Sequence, residues 1–172
     1  MSLSENARKL ACLAILGAGV AIAGCQVRPL YSEGPQGKAA QALASIEISD
    51  ADDRVEQDVR NALVFLTSGG AGEPANPVYH MALNVTSIAG GVLYDQESDT
   101  ASAGRVVVKA DYNLTRVATG ETVRSGNRSA VALVDFPTQE FAKLRALRDA
   151  EKRAAKELAE IIRADIAAAL GR

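Results

Sequence analysis

One stretch limits the fold of this chain more than any other. From residue 105 to 115, apolar Val106, Val108, Ala110, Tyr112 and Leu114 alternate with polar Arg105, Lys109, Asp111, Asn113 and Thr115. Successive residues of a strand point to opposite faces, so this stretch predicts a strand with one face in a core and the other open. Tyr79, Met81, Leu83 and Val85, set against His80, Ala82, Asn84 and Thr86, predict a second such strand. Ala118-Thr119-Gly120-Glu121 turns the chain into Thr122 to Val134, which forms a hairpin with the strand before it. Its first half carries Arg124, Asn127 and Arg128, while Ala130 to Val134 is apolar throughout. Gly126 in mid-strand marks a bulge or a close approach. Between the two alternating strands, Ala89 to Ala103 reads as a polar, mobile loop in which Val92-Leu93-Tyr94 is able to continue the strand.

Helical spacing flanks these strands. Leu43 to Ser49 fits a short first strand with Ile46 and Ile48 on one face. Ser49 or Asp50 then caps a helix, with Asp52 and Asp53 favourable at its start. Val55, Val59, Ala62, Leu63 and Leu66 recur every three or four residues until Gly69-Gly70, and a breaker-rich loop follows to Pro77. After Pro137, Thr138 caps a long helix opened by Glu140 or Phe141. Its expected buried stripe is Phe141, Leu144, Leu147, Ala150, Ala154, Leu158, Ile161 or Ile162, and Ala169. Strand, helix, three strands and helix, each with one apolar side, predict an α+β fold. It is a two-layer sandwich, with two helices packed on one face of a four-stranded, mostly antiparallel sheet. The first strand, separated by a helix, is free to pair in parallel through a right-handed crossover. With no Trp and 4% aromatic residues, the core must be built from Val, Leu, Ile and Ala.

The first 25 residues are of another kind. Arg8 and Lys9 precede an uncharged run of 14 residues, Leu10 to Ala23. A bilayer core needs about 20 apolar residues, so this run suits a cleaved export signal. Ile22-Ala23-Gly24-Cys25 closes it as a lipobox, where small residues admit the backbone to a lipoprotein signal peptidase and the Cys25 thiol is acylated. A chance cysteine after an ordinary signal is the plainer alternative. Acyl chains on Cys25, palmitate among them, exceed what stable membrane residence requires. Gln26 stands where an aspartate would favour inner-membrane retention, so the expected address is the outer membrane of a Gram-negative envelope, facing the periplasm. The expected division is 1–24 signal peptide, 25–43 lipidated cysteine and flexible tether, and 44–172 a single domain.

Several function classes drop out. Loss of Glu5, Arg8 and Lys9 with the leader moves the formal charge from -2 to -3, no electrostatic footprint for nucleic acid. Cys12 leaves too, so Cys25 is the sole mature cysteine, and no disulfide or thiolate metal site can form. His80, the one histidine, fits a polar strand face better than a general base. There is no G-x-S-x-G elbow and no metal-ligand cluster. Gly69-Gly70-Ala71-Gly72 lacks the lysine and the strand-to-helix setting of a phosphate loop, and Asp50, Asp52 and Asp53 lack the later glutamate of a calcium loop. Neither catalysis nor a cofactor is expected.

Arg28-Pro29-Leu30-Tyr31 close behind the lipobox cysteine, Asn61-Ala62-Leu63 in the first helix, Tyr79-x-Met81-x-Leu83-x-Val85, Ala110-Asp111-Tyr112-Asn113-Leu114 and the Thr119-Gly120 turn together resemble the lipopolysaccharide-assembly lipoprotein family LptE, in its alphaproteobacterial form. So do Phe136 and the Ala- and Glu-rich last helix. The family's usual Cys-Gly-Phe start is here Cys25-Gln26-Val27. The resemblance implies a non-enzymatic protein that plugs the outer-membrane β-barrel LptD, acts as its assembly partner and helps pass lipopolysaccharide outward. An auxiliary lipoprotein of an ABC-type lipid transport system would share the anchor, the compartment and an α+β domain. For glycolipid phosphates the physical candidates are Lys109 first, then Arg105, Arg116, Arg124 and Arg128, since cations on strands and turns pair with phosphate. Ordinary solvated charges on an exposed sheet face are the plainer reading of these five.

Overall fold

The computed structural model describes residue 34 and residues 37–95 and 100–171; the leader, Cys25 and most of the tether lie outside the described residues. In chain order the elements are α1 (Lys38–Leu43), β1 (Ile46–Ile48), α2 (Arg54–Ser68), β2 (Tyr79–Asp95), β3 (Thr100–Arg116), β4 (Thr122–Asp135) and α3 (Glu140–Leu170). The fold is α+β, with one four-stranded sheet in the order β1-β2-β3-β4. β1 pairs in parallel with β2, as its separation by a helix predicts, and the other two pairings are antiparallel.

The two alternating sequences form the centre of this sheet. Met81 lies opposite Leu114, Leu83 opposite Tyr112 and Val85 opposite Ala110, and all six are buried on one face. The described part of the stretch read as a polar loop is strand, with Val92-Leu93-Tyr94 continuing β2 as the sequence allowed. β2 runs to Asp95 and β3 begins at Thr100, with a register shift between Gly91 and Leu93. Gly90 and Gly91 suggest a loop, but they pair with Arg105 and Gly104 in the ladder, and a Cβ at Gly104 would meet the Phe136 ring at 2.4 Å. Any residue with a Cβ at 104 would hold the ring off the strand.

Two helix starts differ from expectation. Asp53, not Ser49 or Asp50, caps α2: its carboxylate accepts from Glu56 N at 2.8 Å, while buried Glu56 accepts from the N–H of Asp52, one residue before the cap, at 3.0 Å. Ser49 is taken by the sheet, its N donating to Met81 O and its hydroxyl accepting from Leu83 N, both at 3.0 Å. Gln139, not Thr138, precedes α3, and no side chain caps it. α2 ends at Gly69, as the sequence predicts. The tether assignment runs too far, since residues 38–43 form α1 with Ala39 and Leu43 buried.

α3 is about 46 Å long at 1.5 Å per residue. It contacts β3, β4, α2 and α1, and α2 contacts β2 and β1. Its buried residues are Ala150, Ala154, Ala155, Leu158, Ala159, Ile162, Ile166 and Ala167, facing Ala110, Ala130 and Ala132 among others in the sheet. Small residues on both sides let the helix lie close to the sheet along this stretch. The expected stripe fails in the first turns: Phe141 and Leu144 are exposed, and Ala169 is only partly buried. Ile162→Ala should therefore lower the unfolding free energy by about 2–5 kcal/mol, while Phe141→Ala should stay within about 0.5 kcal/mol of the parent chain. Urea unfolding followed by circular dichroism separates the two, and equal losses would contradict this assignment of the buried stripe.

Candidate functional site

Where the polar half of β4 meets α3, four side chains form a clasp. Arg124, Gly126 and Arg128 share the helix-facing side of β4 with Ala130 and Ala132, opposite Leu114, Tyr112 and Ala110. Arg124 grips Asp165 with two donors, Nη2 to Oδ1 at 2.6 Å and Nε to Oδ2 at 3.1 Å. Arg128 Nη2 lies 3.0 Å from Oδ2, and the Tyr112 hydroxyl donates to the same oxygen. Gly126 makes room for that hydroxyl, since a Cβ there would sit 2.6 Å from it. Burial pushes the Asp165 carboxyl up, but bonds from Arg124 and Tyr112 and the charges of Arg128 and Arg124 outweigh this and hold it below the usual carboxylate value. Tyr112 is pushed up to about 12, first by burial and then by its bond to Asp165.

The opposite face of the sheet is not uniformly polar, as the alternation predicted. One half is: Asn84, Asp111 and Asn127 lie in a row, with Asn127 Nδ2 donating to Asp111 at 2.7 Å. In the other half, Ile88, Val107 and Val131 line up across three strands, with Leu133 beside Arg105 and Leu93 one step further. Ile88, Leu93, Val131 and Leu133 are all exposed. Lys109 sits at the boundary, between Thr86 and Ser129. Lys109 and Arg105 are exposed and make no ion pair among the described residues. An exposed apolar patch bordered by unpaired cations is a surface built for contact.

The five cations named from sequence therefore do not form one group. Lys109 and Arg105 share the open face; Arg124 and Arg128 close the clasp on the other side. Arg116 stacks over the Tyr79 ring, 5.2 Å from its centroid. Sequence reasoning missed Asp165 and Tyr112 as partners and the apolar half of the open face. The latter had a signal, because Ala130 to Val134 is apolar at every position and so on both faces. Asp165 had none, being far along the chain from the arginines it holds. Among the described residues no group of His, Cys, Asp and Glu could hold a metal, and no helix is long and apolar enough to cross a membrane.

A model of the LptE family, lipopolysaccharide-assembly, matches residues 41–166. The chain belongs to the LptE family. That family consists of non-enzymatic assembly lipoproteins. Solved structures share the LptE-family fold of this chain. A candidate lipoprotein of Caulobacter crescentus is 24% identical with a TM-score of 0.64, over 77% of this chain and 94% of that one. A minor lipoprotein of Acinetobacter baumannii is 14% identical with a TM-score of 0.53, over 72% and 88%. The rare lipoprotein B of Shewanella oneidensis is 14% identical with a TM-score of 0.50, over 72% and 92%. No curated protein matches the sequence.

The clasp gives this LptE-family domain a defined acid response. Asp165 titrates lower folded than its ordinary 3.8, so the unfolded chain binds the proton more readily. Its contribution is therefore complete above that value and is lost as pH falls through the lower folded one. Asp165→Asn should lower stability at neutral pH and flatten the acid limb of the stability profile below about pH 4. Denaturant midpoints measured across the acid range check this, and parallel limbs for the two proteins would contradict it.

Proposed function

We propose that this chain is the plug and assembly partner of an LptD-type outer-membrane β-barrel, and that it helps pass lipopolysaccharide to the cell surface. The observation that carries the reading is the family match over residues 41–166. In this reading Cys25 is acylated after removal of residues 1–24, a tether leads into a single domain, and the anchor sits in the outer membrane with the domain on the periplasmic side. The helices α2 and α3 form one layer against the sheet and leave the opposite face for the partner.

That open face supplies the chemistry such a role needs. Ile88, Leu93, Val131 and Leu133 offer apolar contact, and Arg105 and Lys109 beside them suit the phosphates of a glycolipid. Arg116, Arg124 and Arg128 have work inside the domain, so Lys109 and Arg105 are the residues assigned to lipopolysaccharide. Isolation of the tagged chain from mild-detergent envelope extracts should recover an LptD-like barrel in near-equal amount. Lys109→Glu with Arg105→Glu should lower lipopolysaccharide recovery while leaving thermal unfolding unchanged. Absence of the barrel, or recovery of ABC-transport components in its place, would overturn the reading.

A further inference from the structure

The first turns of α3 combine features that its later turns lack. Phe141, Leu144, Arg145 and Arg148 stand at spacings of three and four and so share one helix face. All four are exposed, Phe141 by 86% and Leu144 by 51%. Residues 141–148 hold three cations and no carboxylate, in a chain whose formal charge is -2. The cationic line continues along α3 to Lys152 and Lys156, which border a groove against Phe65 and Leu66 of α2, with Asp58 and Glu160 at its margins. Phe65 is 65% exposed. Among the described residues, Arg145, Arg148, Lys152 and Lys156 make no ion pair. Of the neighbouring charges, Arg54 pairs with Asp58 and Glu151, and Arg153 with Asp149.

We propose that the outer surface of α2 and α3, led by Phe141, Leu144, Arg145 and Arg148, lies on an anionic phospholipid bilayer. Apolar side chains interleaved with lysine and arginine on one helix face are what an interfacial contact requires, the rings entering the headgroup boundary while the cations meet phosphates. The route of the chain agrees. α1, the first described helix, packs against α3 and α2, and residues 26–36 stand between it and Cys25 in the sequence. Eleven residues reach at most about 36–40 Å, enough for an acylated Cys25 to hold the domain with its helices toward the membrane. The contact uses the anchor proposed above and belongs to the chain before a barrel takes it up. The sheet's open face stays free meanwhile.

The chain contains no tryptophan, so Phe141→Trp introduces a single reporter at an exposed site. The full chain carrying it is mixed with phosphatidylcholine vesicles, with and without phosphatidylglycerol, and with brominated acyl chains as quenchers. The expected result is a shift of emission to shorter wavelength and strong quenching only where phosphatidylglycerol is present. Both effects should fade as salt is raised and be lost in the Arg145→Glu, Arg148→Glu variant. A separate Leu133→Trp reporter on the open face should show neither effect. Unshifted Phe141→Trp emission, equal quenching on neutral vesicles, or equal quenching of Leu133→Trp would each overturn the proposal. The barrel partnership would stand in any of those cases, because it is read from co-purification.

Discussion

The structure depends on the seat of α3 across β3 and β4. In a core otherwise built of Leu, Ile, Val, Met81 and two tyrosines, both sides of this contact carry alanines: Ala150, Ala154, Ala155 and Ala159 on the helix, Ala110, Ala130 and Ala132 on the strands. Close approach gives these residues their contacts, since dispersion falls away within an ångström of extra separation. It also gives little directional information, because an alanine surface is smooth. The Asp165 clasp supplies the missing register. One carboxylate held by two guanidinium groups and a phenol fixes where along β4 the helix lies. Gly126 is part of the same device, keeping the strand flat beneath the Tyr112 hydroxyl.

Away from the clasp, the exposed surface carries two unlike regions. The open side of the sheet carries an apolar block beside Arg105 and Lys109. The outer side of the helices carries exposed aromatic residues interleaved with unpaired lysine and arginine. A protein that only needed to be soluble would have little reason to keep either. Both make physical sense in a family of cell-envelope lipoproteins.

Much of this arrangement was legible because each strand and helix has a single period. Tyr79 to Val85 and Val106 to Leu114 are buried on one side as alternation predicts, and Val59 and Leu63 lie in the core as helical spacing predicts. The errors share a cause: local signals were overruled by contacts distant in sequence. Ser49 is a good cap in isolation, but β2 claims both its backbone and its hydroxyl. Gly90 and Gly91 look like loop chemistry until β3 pairs with them. Arg124 and Arg128 look like free cations until α3 brings Asp165 between them. Phe141 and Leu144 continue a perfect helical stripe, yet the stripe outruns the sheet it was expected to cover.

The claim that α3 from Ala150 onward is an integral part of the core, and its first turns are not, is most directly tested by native-state hydrogen exchange. Amides of β3 between Val106 and Leu114 and of α3 between Ala150 and Ala167 should be the slowest, exchanging through one shared global opening, with Phe141 to Asp149 exchanging much sooner. If Ala150 to Ala167 exchanged as fast as Phe141 to Asp149 while β3 stayed protected, the helix would be a detachable cover rather than part of the core, and the claim would be wrong.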